Sequence, residues 1–317
     1  MNHLESAFVG KNSFWRYLLM ILVVLLVSNL IGGLPLLIAY GIKAAGNPEI
    51  ISELSADPSN IGVLGLNPNL GLILMIIPSI AGLVAFFLLI KPFNERTIVR
   101  TINGTGSVRW KRFFISALVW SLLSALYMIV YFKYDPSNFN INNNTFSLIY
   151  LAVISMLFIP FQAVFEEVLF RGYLMQGFAV MVRNRWFPLL MTSVLFGLMH
   201  APNPEVKNFG FFTMMPLYIM FGIVFGITAI MDDGIEVAMG AHTANNIFTC
   251  IFLTNSSSVL QTSALYEQKQ IYPWREFTGL LIASVIFIFV LKMIFKWEKF
   301  SLIWGRISKP ADKVQSV

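Results

Sequence analysis

A succession of long apolar runs, parted by short polar stretches, limits what this chain can fold into more than any other feature. The runs are Phe14–Ala39, Leu70–Ile90, Phe113–Phe132, Phe146–Val182, Trp186–Ala201, Phe211–Met231, Val237–Thr254 and Phe277–Phe295. A helix that crosses the hydrocarbon core of a bilayer needs about 20 mainly apolar residues. All but Trp186–Ala201 come close to that length or exceed it. The runs are continuous, unlike the ten-residue alternations of a membrane barrel, so spanning strands are not expected. Charged residues make up 12% of the 317, against about 25% in a soluble domain, and the deficit is spread over most of the length. The expected fold is all-α: a polytopic membrane protein of about eight transmembrane helices, forming a single membrane domain over residues 1–317.

The net charge of +6 does not point to nucleic acid, because the basic residues form no single patch. They sit at the ends of apolar runs, where the positive-inside rule places them. Lys11 and Arg16 precede the first run, Arg96 to Arg112 follow the second, and Arg183 and Arg185 follow the fourth. The tail carries Lys296, Lys299, Arg306, Lys309 and Lys313, whereas the intervening loops carry acids such as Glu49, Glu53 and Asp57. This pattern places both termini in the cytoplasm, with an even number of spans. Asp232, Asp233 and Glu236 fall on the predicted inner side and read most simply as a solvated turn. The first run is long and lacks a clean cleavage site, so it reads as a retained span. Asn138–Asn144 and Asn255–Ser258 read as exposed loops, Ser308–Val317 as a frayed polar tail, and Cys250 as a small buried hydrophobe.

Against this background, Glu166, Glu167, Arg171, His200 and His242 stand inside apolar runs. An ionisable side chain at a helix centre costs about 2.5–3.5 kcal/mol on translocon scales, and such residues usually mark function. Glu167 and Arg171 are four apart on one helical face, with the acid first, the favoured order for an ion pair. Taken alone, they read as a structural pair. Glu166 is turned about 100° away and is left to face a cavity. Phe196 shares a face with His200, and His242 shares one with Asn246, while Asn245 lies on the adjacent stripe. Gly240, Ala241 and Ala244 allow another helix to approach His242 closely. The Phe146–Val182 run would be about 55 Å long as one helix. It therefore tilts, protrudes, or breaks near Pro160 or Gly172.

A carboxylate without a partner, two histidines and an amide from three runs can converge on one polar cavity. There the carboxylate can act on water as general base and then as general acid. A histidine and an amide NH₂ can donate to an oxyanion. No serine is placed as a nucleophile, and Cys250 lies on a different stripe from His242. Water attack on an amide is the natural reaction class.

At these residues the chain resembles the CPBP family of intramembrane proteases, the CAAX-protease and bacteriocin-processing (Abi) group. The family motifs Glu-Glu-x-x-x-Arg, Phe-x-x-x-His and His-x-x-x-Asn are matched in order by Glu166-Glu167 with Arg171, Phe196 with His200, and His242 with Asn246. The resemblance covers about Ser147 to Thr254, the expected catalytic core. It implies Glu166 as the catalytic carboxylate, working with His200 on water, and His242 with Asn246 as the oxyanion pair. Glu167, Arg171 and Phe196 would be supporting residues, and the site would open toward the cytoplasm. The residues themselves favour a glutamic endopeptidase without a cofactor, although Glu with two His has led the family to be called metalloproteases. The alternative is zinc held by Glu166, His200 and His242, but there is no His-Glu-x-x-His to supply two ligands on one helical face. The implied partners are the lipid bilayer and a peptide or membrane-protein substrate, of prenylated or bacteriocin-precursor type, in a bacterial inner membrane. The competing readings are a non-catalytic member of the same fold, in bacteriocin self-immunity or envelope maintenance, and a proton-coupled transporter.

Overall fold

The computed structural model describes residues 2–56 and 61–309. Asp57, Lys313 and most of the expected polar tail lie outside the described residues. The eight apolar runs become eight helices: α1 (Phe14–Gly46), α2 (Pro68–Asn94), α3 (Trp110–Tyr134), α4 (Thr145–Val182), α5 (Trp186–Met199), α6 (Phe211–Met231), α7 (Glu236–Phe252) and α8 (Pro273–Phe295). Among the described residues, six are long and apolar enough to cross a membrane. The other two, α5 with 14 residues and α7 with 17, fall short of that length. The chain is thus a multi-pass, all-helical membrane protein with fewer full-length spans than the sequence suggests.

Two helices depart locally from α geometry. Within α1, a π-helical turn at Val27–Ile31 precedes the Gly32–Gly33 turn, and the helix then runs past Ala39 to Gly46. Pro160 does not break α4, but a π-helical stretch, Val168–Leu174, begins directly after Glu167 and contains both Arg171 and Gly172. Such turns shift the helical register by a residue and recur at functional sites.

Close helix approach depends on glycine at two positions. A β-carbon on Gly240 of α7 would lie 2.1 Å from the Phe113 carbonyl oxygen of α3. One on Gly222 of α6 would lie 2.7 Å from the Ser193 Cα of α5. Both crossings lie beside residues of the site described below.

Loop contacts sort the connections into two ends. At one end, the His3 amide donates to Asp233 (2.6 Å), the Ile307 amide donates to the Arg183 carbonyl (2.9 Å), and Arg109 pairs with Glu236 (2.6 Å). The N-terminal segment, the α2–α3, α4–α5 and α6–α7 connections and the C-terminal segment therefore meet there. At the other end, three short strands form a sheet: β1 (Phe139–Ile141), β2 (Leu253–Thr254) and β3 (Tyr266–Gln268), in the order β1-β3-β2. β3 runs antiparallel to β1 and parallel to β2, joining the α3–α4 and α7–α8 connections. The Val259 amide bonds Glu205 of the α5–α6 connection (3.2 Å) at the same end. Successive connections from α2 onward thus alternate between the two ends, and both terminal segments lie together.

Two loop readings need correction. The Asp232–Glu236 turn is not a solvated one: Asp232 and Glu236 are 3% and 0% exposed. Asp232 accepts from Arg112 and from the Trp297 indole, and Glu236 binds Arg109 and Asn103. The acids are the buried counter-ions of the basic α2–α3 connection, a pairing that loop sequences cannot reveal. Nor is Asn138–Asn144 wholly exposed. Asn138 is buried and donates to the Gln270 carbonyl (2.9 Å), and β1 lies in the sheet.

Candidate active site

A fully buried charge cluster forms the floor. Glu167 Oε1 accepts from Arg171 (2.8 Å) and from His242 Nδ1 (2.8 Å), and both Glu167 and Arg171 are 0% exposed. Arg171 also donates to the Gly222 carbonyl (3.1 Å) and lies 4.4 Å from the Phe196 ring centroid. The desolvation of each charge is offset by a partner of opposite sign and by the aromatic face. Glu167 is therefore more than a partner for Arg171: it orients a histidine. Because the carboxylate accepts, His242 Nδ1 carries the proton. Its Nε2 then faces Glu166 Oε2 at 3.8 Å, while the ring stacks on Phe225 at 5.1 Å.

Above this floor Glu166 faces a cavity of about 610 Å³, whose lining includes Gln162, His200, Asn245 and Asn246. Glu166 Oε1 accepts from Gln162, one helical turn earlier. Gln162 Oε1 in turn accepts from Asn246 (2.8 Å), Asn246 accepts from Asn245 (3.0 Å), and Asn245 accepts from the Trp120 indole (3.2 Å). This relay of amides ties α3 and α7 to the carboxylate on α4. Glu166 Oε2 is buried and has no hydrogen-bond partner. Sequence reasoning missed Gln162 and Trp120. The signal for Gln162 was its four-residue spacing from Glu166; for Trp120 there was none.

His200 caps the C-terminal end of α5, half-buried. Its Nδ1 bonds the Phe196 carbonyl (2.8 Å) and its ring stacks on Tyr218 at 4.5 Å. A carbonyl only accepts, so Nδ1 donates and Nε2 is left as the free lone pair. The structure thus places Glu166, His200 and Asn246 on the cavity wall. His242 and Phe196 are buried behind it, as are Glu167 and Arg171.

Among the described residues, no three His, Cys, Asp or Glu side chains are grouped to hold a metal ion. His200 stands apart from His242, in an aromatic stack with Tyr218. These residues, as placed, do not fit a three-ligand zinc site, so no step is routed through a metal.

From Glu166 the cavity extends toward the sheet end. Its lining there includes Phe139, Asn203, Glu205, Ser258 and Gln268. That end is opposite the termini, so cytoplasmic termini and a site opening to the cytoplasm do not hold together.

The family model described as Type II CAAX prenyl endopeptidase Rce1-like matches residues 145–248, which hold all three motifs. The uncharacterized protein YyaK of Bacillus subtilis (strain 168) is 30% identical over 260 residues, covering 82% of this chain and 84% of that protein. No solved structure matches. The motif-bearing helices, the buried polar cluster and these two matches agree: the chain belongs to the CPBP/CAAX-protease family, whose general activity is intramembrane proteolysis.

Proposed function

We propose that the chain is a glutamic intramembrane endopeptidase of a bacterial inner membrane, with both termini in the cytoplasm. One observation carries the catalytic assignment. Of the two adjacent carboxylates, Glu167 is engaged by Arg171 and His242 behind the cavity wall, whereas Glu166 lines the cavity itself.

In this reading, Glu166 Oε2 takes a proton from water as the water oxygen attacks the scissile carbonyl carbon. The free Nε2 of His200 accepts the water's other hydrogen as a hydrogen bond and so fixes the line of attack. The carbonyl oxygen becomes an oxyanion, which accepts from Asn246 on the cavity wall. Asn246 Nδ2 has two hydrogens and spends one on Gln162 (2.8 Å), leaving the other for substrate. His242 does not line the cavity; its Nε2 faces Glu166 Oε2 at 3.8 Å from behind the carboxylate. Collapse of the tetrahedral intermediate breaks the C–N bond as Glu166 returns its proton to the leaving amine.

The test is Glu166→Gln, which keeps size and polarity but removes the base. Cleavage by detergent-solubilised protein should fall by about 10²–10⁴-fold, at unchanged membrane level and melting temperature. Undiminished cleavage would remove Glu166 from the chemistry.

A further inference from the structure

We propose that the substrate reaches Glu166 from the non-cytoplasmic face of the membrane. The proposal rests on the protease reading above and concerns the side from which that site is served.

The site is closed toward the termini. Phe225, Arg171 and Glu167 are 0% exposed and Phe196 is 2% exposed. Beyond them the N-terminal segment folds across the helix ends: His3 is 1% exposed and its Nε2 bonds the Arg171 carbonyl (3.0 Å). Gln176 donates to the His3 carbonyl (2.9 Å), and Ser6 bonds the Arg100 carbonyl (2.8 Å). None of these floor and strap residues lines the cavity.

The site is open toward the sheet. Helix α5 starts at the terminus end, where Arg185 donates to the Arg306 carbonyl (2.6 Å). With 14 residues it rises about 21 Å, short of a hydrocarbon core of about 30 Å. His200 therefore ends a helix about 10 Å shorter than the core is thick. Its non-helical continuation includes Asn203, which lines the cavity. Irregular backbone at membrane depth is tolerated where it lines a water-filled cavity. The short α5 is the device that brings the cavity down to His200.

Charge then identifies the two faces. The terminus end carries Arg109, Lys111 and Arg112 before α3, Arg183 and Arg185 before α5, and Lys296 after α8. Lysine and arginine in short loops mark the cytoplasmic side, while acidic residues contribute little. The sheet end, and the cavity mouth with it, faces away from the cytoplasm. The substrate class that follows is a peptide segment presented at the outer face: an exported peptide, or the outer end of another membrane helix. A lipidated C terminus held at the cytoplasmic leaflet would meet the closed side.

The test uses the accessibility of one introduced cysteine, beside the native Cys250, in sealed right-side-out vesicles with a membrane-impermeant maleimide. Ser258→Cys reports the mouth, Thr249→Cys the cavity wall one turn beyond Asn246, and Ser301→Cys the terminus end. The unmodified chain, whose one thiol is the buried Cys250, gives the background. Ser258→Cys and Thr249→Cys should react at least ten-fold faster than Ser301→Cys until the vesicles are permeabilised. Faster reaction at Ser301→Cys, or a Thr249→Cys that stays unreactive while Ser258→Cys labels, would overturn the proposal. Labelling reads sidedness whether or not the protein cleaves peptides. Failure of the protease reading appears separately, as Glu166→Gln protein that still cleaves.

Discussion

Glu167 Oε1 and His242 Nδ1 are 2.8 Å apart, and the same oxygen accepts from Arg171 at 2.8 Å. One carboxylate oxygen thus neutralises a buried guanidinium and fixes the tautomer of a histidine on another helix. Glu167→Gln keeps an acceptor but removes the charge that balances Arg171. Breaking one side of a buried pair costs about 3–5 kcal/mol. The variant should show a lower melting temperature and less folded protein as well as slower cleavage, whereas Glu166→Gln should lose rate alone. Thermal unfolding of both, measured beside turnover, checks this; a Glu167→Gln protein of normal stability would contradict the pairing.

Gln162 holds both Glu166 and Asn246. Gln162→Leu should leave Glu166 in place but unaligned, reducing kcat about ten-fold or more, because small misplacements of reacting groups carry large rate penalties. KM should change less than kcat. An equal change in both would assign Gln162 to substrate binding instead.

His3 should make the N-terminal strap sensitive to acid. Burial is the largest influence and pushes its pKa below the ordinary value. The Arg171 carbonyl, Asp233 and Glu236 oppose this, and Arg109 adds to it. A depressed histidine is neutral when folded, so the unfolded chain binds more protons just below the ordinary histidine pKa of about 6.5. The stabilisation is fully present above that pH and declines as pH falls through it. Limited proteolysis of residues 2–8 should accelerate between about pH 7.5 and 5.5, and His3→Asn should flatten that dependence. A pH-independent wild-type rate would count against the buried neutral histidine.

Metal removal discriminates between the two chemistries. Protein washed with a strong chelator, and shown metal-free by elemental analysis, is expected to retain its cleavage rate. Loss of activity restored by zinc alone would replace the glutamate–water reading with a metal-based one.

The helical segments were legible in the sequence because a bilayer demands continuous apolar stretches. The i, i+4 spacings of Glu167 with Arg171 and of Phe196 with His200 were legible because helix geometry fixes them locally. The pairing of Asp232 and Glu236 with Arg109 and Arg112 was not, since it joins residues more than a hundred positions apart. The amide relay through Gln162, Asn246, Asn245 and Trp120 was hidden for the same reason. The shortness of α5 was legible too, since Trp186–Ala201 falls short of a span; the helix ends two residues earlier, at Met199.

The sequence by itself determined a helical membrane protein, its candidate polar residues and the end of the molecule that bears the positive charge. These follow from hydropathy, helical periodicity and loop charge, all local properties of the chain. The tertiary structure alone decided that Glu167 also holds His242, that Glu166 meets the cavity with Asn246 and His200, and that this cavity runs toward the end opposite the termini. Those outcomes depend on how helices distant in sequence pack side by side. Glu167 meets Arg171 along its own helix but His242 only across a helix interface, and the carboxylate left over faces the open space.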